Sequence, residues 1–152
     1  EYDNFSLEDG HVIPALMHRF HNTLLKNKEN GTTEKHIAYG TGKPLRQFLY
    51  AGDFAKIICK LLLDGKYKST EPIICSKDEL TIRTMIYSLA KAMNIENHDI
   101  VFDTSKGDGC MRKTVDNSKL QKLYPNFKFK SLRNGLETTY KWFKENYEHI
   151  RK

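Results

Sequence analysis

Three groups of residues in this 152-residue chain combine side chains that can move protons or hold anions. The first is His11, just ahead of the apolar run Val12-Ile13-Pro14-Ala15-Leu16, with Arg19 two turns further on. A helix N-terminus carries positive partial charge that disfavours an imidazolium, so a histidine there is left able to accept a proton. The second runs from Tyr39 through Gly40-Thr41-Gly42-Lys43-Pro44 to Arg46, Tyr50 and Asp53. It pairs an aromatic face with a guanidinium across a glycine turn, which suits a stacked nucleobase and a clamped phosphate. The third is Phe102 to Lys113, where Gly107 and Gly109 bracket Asp108 and cations stand on both sides. Such a loop can wrap an anionic, hydroxyl-rich ligand, with Asp108 accepting and Lys113 meeting phosphate. Each group also has a plain structural reading: an exposed terminal histidine, a hairpin with Asp53 serving a helix dipole, and a charged surface turn. Residue types alone leave both open.

Other chemistries are harder to build from these residues. A dinucleotide-binding strand-turn-helix needs G-x-G-x-x-G or a relative, and none occurs. Gly40 to Lys43 is no phosphate-binding Walker loop, because position 37 is Ile and position 44 is Pro. Tyr-x-x-x-Lys appears at Tyr39, Tyr87, Tyr124 and Tyr140, but Gly40, Gly42 and Pro125 deny two of these a regular helix, and the others read as core or rim tyrosines beside solvated lysines. Three cysteines without C-x-x-C spacing predict neither zinc site nor disulfide framework, and hence no metal and a reducing, cytoplasmic setting. A formal charge of +6, scattered rather than blocked, favours a small phosphate-bearing partner over nucleic acid. The longest apolar run, Ile57 to Leu63, is broken by Lys60, so no membrane span is expected.

The elements that must position these groups follow from periodicity. Val12, Ile13, Leu16, Phe20 and Leu24 recur at helical spacing from His11 to about Lys28. Short strands are predicted at His36 to Tyr39, Leu45 to Tyr50, Pro72 to Cys75 and Asp99 to Asp103. Helices are predicted from Asp53 to a stop at Gly65, from an N-cap at Thr81 to Met93, from Asp116 to before Pro125, and from Ser131 along a core stripe of Leu132, Leu136, Tyr140, Phe143 and Tyr147. Short strands alternating with helices predict an α/β layer arrangement in one domain over residues 1–152.

In this order, Asp3-Asn4-Phe5, Gly10 to Leu16, Gly40-Thr41-Gly42 with Arg46-Gln47-Phe48, Phe102 to Lys106 with Asp108-Gly109 and Lys113, and Thr139 to Phe143 resemble the C-terminal portion of the GDP-L-fucose synthase family. These are NADPH-dependent epimerase/reductases of the extended short-chain dehydrogenase/reductase group. The resemblance spans nearly the whole chain. It implies that His11 is the acid/base beside the nicotinamide, contributing to cofactor binding and working with a cysteine from the N-terminal half. Arg19, Tyr39, Arg46, Asp108 and Lys113 fall where the family contacts the GDP-sugar, with Tyr39 in place of the usual Trp. The implied reaction is 3,5-epimerisation of GDP-4-keto-6-deoxymannose and NADPH-dependent 4-reduction. The NADP-binding Rossmann half and the reduction residues are expected upstream of Glu1. The chain is then a substrate-binding part, inactive alone and monomeric, from a family of homodimers. The competing expectations are the substrate domain of another nucleotide-sugar epimerase or dehydratase, and a non-catalytic nucleotide-sugar-binding or interaction module.

Overall fold

The computed structural model describes residues 1–65, 74 and 76–151. Helix α1 (Val12–Asn30) begins behind His11 and takes Pro14 in its first turn, where a backbone N–H has no intrahelical partner. It runs past Lys28 and stops at Gly31, whose φ of 63° is left-handed. The amide of Asn27 then organises the exit, accepting from Glu34 N at 2.8 Å and from the Thr32 hydroxyl at 2.9 Å. Strand β1 (His36–Tyr39) follows at once, with His36 and Ala38 buried and Ile37 and Tyr39 outward. Strand β2 (Leu45–Gln47) is shorter than the predicted Leu45 to Tyr50. Phe48 to Tyr50 leave the sheet because Tyr50 already serves as N-cap of α2 (Ala51–Leu63).

Strand β3 (Glu79–Thr81) leads straight into α3 (Ile82–Ala92), whose first turn is capped by the Thr81 hydroxyl accepting from Thr84 N at 3.0 Å. A single 3₁₀ turn, Asn97–Asp99, precedes β4 (Ile100–Asp103). Strand β5 (Arg112–Lys113), the short α4 (Ser118–Leu123) and α5 (Leu132–Glu145) complete the chain, with Ser131 capping α5 as predicted. The N-cap of α4 is Asn117 rather than Asp116; Asp116 turns the chain one residue earlier, accepting from Ser118 N at 2.9 Å. Of the predicted strand Pro72 to Cys75, residues 72, 73 and 75 lie outside the described residues, and Ile74 is half-buried beside Ile57, Leu61, Leu120 and Tyr124.

The pairing makes two small sheets. Strands β1 and β4 run parallel, His36 opposite Ile100 and Tyr39 opposite Asp103. The second sheet has the order β3-β2-β5, with β2 antiparallel to β3 and parallel to β5. Helices α1, α3 and α5 close over a core in which Phe5, Met17, Phe20, Met85, Ile86, Leu89 and Phe143 are fully buried. Burying each such side chain contributes about 2–3 kcal/mol, so this cluster is what holds the layer together. Phe5 joins it from the N-terminal segment, stacked on Trp142 and bonded through its N–H to Arg151 O at 2.9 Å. Among the described residues no helix is long and apolar enough to cross a membrane.

Candidate functional site

Because β1 and β4 are parallel, the turns that follow them, residues 40–44 and 104–111, leave the same edge of the layer. They meet at Thr41. The Asp108 carboxylate accepts from Thr41 N at 2.6 Å and from the Thr41 hydroxyl at 2.5 Å. These bonds, the hydroxyl first, hold the Asp108 carboxyl below its ordinary value of 3.8. The approach is close enough to require glycine: a Cβ on Gly40 would lie 2.4 Å from Asp108 Oδ1, at a φ of 83°. Asp108, expected as a ligand acceptor, therefore already fastens one turn to the other.

Tyr39 stands outward immediately before this junction, 49% exposed, with the Arg19 guanidinium over its ring at 4.2 Å from the centroid. A phenol face with a cation on it is a stacking platform that also carries charge. Arg46 and Lys113 are direct cross-strand neighbours of β2 and β5, so their side chains leave the same face of that sheet. Arg46 donates to Leu45 O and to Cys110 O, both at 2.7 Å, which fixes its fork against the 104–111 turn while leaving other N–H groups open. Lys113 is exposed and makes no ion pair among the described residues.

The opposite face of the same sheet is saturated. Arg112 forks onto Glu79 at 2.8 and 3.1 Å, and the Thr114 hydroxyl also donates to Glu79. The Gln47 amide continues the pairing past the end of β2, accepting from Val115 N at 2.8 Å and donating to Val115 O and Ser76 O. Structure thus divides the two adjacent cations of β5: Arg112 braces and Lys113 is available.

Asp53 is not part of this group. It is buried, accepts from Lys130 N at 2.5 Å and so ties the start of α2 to the chain entering α5. His11 lies at the tip of α1, eight residues and about 12 Å of helix axis from Arg19. Its side chain is 83% exposed, with Nδ1 3.3 Å from Asp3 Oδ1. A carboxylate against Nδ1 is the arrangement that selects a tautomer and leaves Nε2 as the working nitrogen. The other histidines are placed differently: His18 Nδ1 bonds Phe5 O at 2.8 Å, His21 sits against Tyr140, and His36 is buried beside Phe20.

These residues do not form a dinucleotide cradle. Gly40 and Gly42, at positive φ, join two strands rather than a strand to a helix, and Gly31 ends a helix. Among the described residues no group of three or more His, Cys, Asp or Glu is placed to hold a metal ion.

Residues 1–73 match the model of the NAD dependent epimerase/dehydratase family. A probable GDP-L-fucose synthase of Drosophila melanogaster is 38% identical over 99% of this chain and 47% of its own length. GDP-L-fucose synthase 1 of Arabidopsis thaliana is 42% identical over 95% of the chain and 42% of its own. The crystal structure of a GDP-L-fucose synthetase from Naegleria fowleri superposes with a TM-score of 0.84 at 40% identity, covering 99% of this chain and 44% of that one. The chain matches the C-terminal portion of GDP-L-fucose synthases. It spans under half the length of these relatives. The fold is α/β, with short strands alternating with helices as in the C-terminal portion of these extended short-chain dehydrogenase/reductase enzymes, and the Naegleria enzyme has also been solved bound to NADP.

The sequence had singled out Arg19, Tyr39, Arg46, Asp108 and Lys113, and contacts link them in two pairs and a junction: Arg19 with Tyr39, Arg46 beside Lys113, and Asp108 on Thr41. Among the described residues no hydrogen bond, ion pair or ring contact joins His11 to them. Sequence reasoning missed the work of Thr41, Gln47, Glu79 and Arg83. Their signals were the hydroxyl between two glycines, an amide at a strand end, an acid opposite a cation pair, and a guanidinium just inside a helix cap.

Proposed function

We propose that this chain binds GDP-4-keto-6-deoxymannose and supplies the acid/base for its 3,5-epimerisation within a GDP-L-fucose synthase. The observation that carries the reading is the cross-strand pair Arg46 and Lys113 on the open face of β2 and β5, in a chain whose relatives are named for that GDP-sugar chemistry. Two adjacent cations, one a fork and one a point charge, neutralise a pyrophosphate without a metal. Tyr39 offers the base a ring face, backed by Arg19 on the helix behind it.

The sugar then lies towards His11. Protons on C3 and C5 are acidified by the adjacent C4 ketone, so a positioned imidazole can transfer a proton on one face of the ring while a second acid/base, the cysteine that the family resemblance implies, serves the opposite face. Asp3 holds Nδ1 and stabilises the imidazolium that each removal creates, leaving Nε2 to face the carbon. NADP supplies hydride for the C4 ketone; its cradle is not among the described residues, and the 152 residues alone are expected to turn over no keto sugar. Oxidation of NADPH by the purified chain with substrate would contradict that.

Calorimetric titration with GDP and GDP-mannose tests the clamp. Arg46→Ala is expected to weaken GDP at least about tenfold, equivalent to 1.4 kcal/mol, and UDP-sugars should compete poorly. A wild-type chain binding GDP no better than Arg46→Ala overturns the reading.

A further inference from the structure

Arg83 belongs to no part of the site as described, yet it holds two successive carbonyls of the glycine turn, those of Thr41 and Gly42. The first two N–H groups of α3 are spent on this turn: Ile82 N donates to Pro44 O and Arg83 N to Gly42 O, both at 2.8 Å. The carbonyl of Thr41 lies beyond the reach of the helix backbone, and there the Arg83 guanidinium donates at 2.7 Å. The same guanidinium lies 3.8 Å from the centroid of the Phe102 ring and reaches Tyr87 Oη at 3.3 Å. The turn has been shaped to admit it. A Cβ on Gly42 would stand 2.8 Å from the Phe102 ring and 2.9 Å from Arg83 Cβ, at a φ of 73°.

Thr41 is therefore gripped from both sides, its carbonyl by Arg83 and its N–H and hydroxyl by Asp108. That peptide fixes how β1 ends and hence where the Tyr39 ring projects, and it fixes the position of Asp108 on the facing turn. The positive charge of Arg83 is consumed in stacking and in a backbone bond, which distinguishes it from Arg46 and Lys113. Lysine could replace neither the planar stack nor the fork.

Resting on the GDP-sugar reading above, we infer that Arg83 is the positioning residue of the nucleotide site: it sets the 40–42 turn so that Tyr39 presents its ring to the base. It touches no ligand itself. Its effect must then pass through Tyr39, which a general contribution to stability would not do.

The test is a double-mutant cycle on the 152-residue chain, read by GDP titration with thermal unfolding alongside. Arg83→Gln and Arg83→Lys are each expected to raise the Kd for GDP about tenfold, with lysine giving no rescue. In a Tyr39→Ala background Arg83→Gln should add less than about twofold. Unchanged GDP affinity in Arg83→Gln overturns the inference, as does full affinity in Arg83→Lys, the variant that also serves if the glutamine chain fails to fold. Additive losses in the double variant overturn it too, because they assign Arg83 a role independent of Tyr39. Absence of GDP binding by the wild-type chain removes this inference and the proposed function together, whereas wild-type binding with unaffected Arg83 variants removes only this one.

Discussion

The two ends of the candidate site are built in opposite ways. At the proposed nucleotide end, residues from the 40–44 turn, β2, α3 and the 104–111 turn are cross-braced by bonds of 2.5–2.7 Å between Thr41, Asp108, Arg83, Arg46 and Cys110. At the proposed sugar end stands one imidazole on a helix tip, 83% exposed, with one polar partner among the described residues, at 3.3 Å. Preorganised groups lose little freedom when a ligand arrives, which is what the proposed binding would use. Proton transfer requires water to be kept out and geometry to be held, and an open helix tip does neither unaided.

The largest effect that could break this contrast comes from Gly42. Gly42→Ala forces a left-handed φ on alanine and drives a methyl into Phe102 and Arg83, at an expected cost of about 2–4 kcal/mol in urea unfolding. GDP binding should go with it. A loss near zero would mean that the turn is far looser than its contacts imply.

A middling effect lies at the other end of β1 from that turn. His36, on β1 three residues before Tyr39, is 3% exposed and its Nδ1 has no hydrogen-bond partner. Burial pushes its pKa below the ordinary 6.5. The unfolded chain therefore takes up the proton first, so stability is full above 6.5 and declines as the pH falls from there towards the folded-state value. Denaturant midpoints measured from about pH 7 down to pH 5 should fall for the wild-type chain and flatten in His36→Leu. Parallel curves would place the acid sensitivity elsewhere.

The smallest expected effect sharpens the comparison most. His11→Asn should leave GDP affinity within about twofold of wild type, since no contact joins it to the clamp. In a complete enzyme the same change should abolish epimerisation, followed as loss of solvent deuterium incorporation at C3 and C5. A large drop in GDP affinity would merge the two ends into one.

Much of this was legible from residue types because the relevant signals are local. The stripe of α1, the Thr81 and Ser131 caps and the alternation of His36 to Tyr39 each lie within one element. Strands β3 and β5 were not legible: Glu-Leu-Thr and Arg-Lys are too short to establish a strand period, and only pairing on both sides of β2 makes them strands. Asp53 looked like a site carboxylate because it sits at a helix start, yet a backbone N–H from residue 130 claims it. Asp108 could be assigned to the site from its glycines, but not its attachment to Thr41, 67 positions away in sequence. Arg83 was unreadable for the same reason: its work is done on the carbonyl of a residue 42 positions earlier.

The parallel run of β1 and β4 has an evolutionary corollary. Since both strands discharge their following segments over one rim, either segment can be lengthened, shortened or recharged to remodel that rim, while the helices behind it keep their packing. If the proposed function holds, a new ligand preference is reachable by editing two stretches of surface polypeptide, with the hydrophobic interior left as it is.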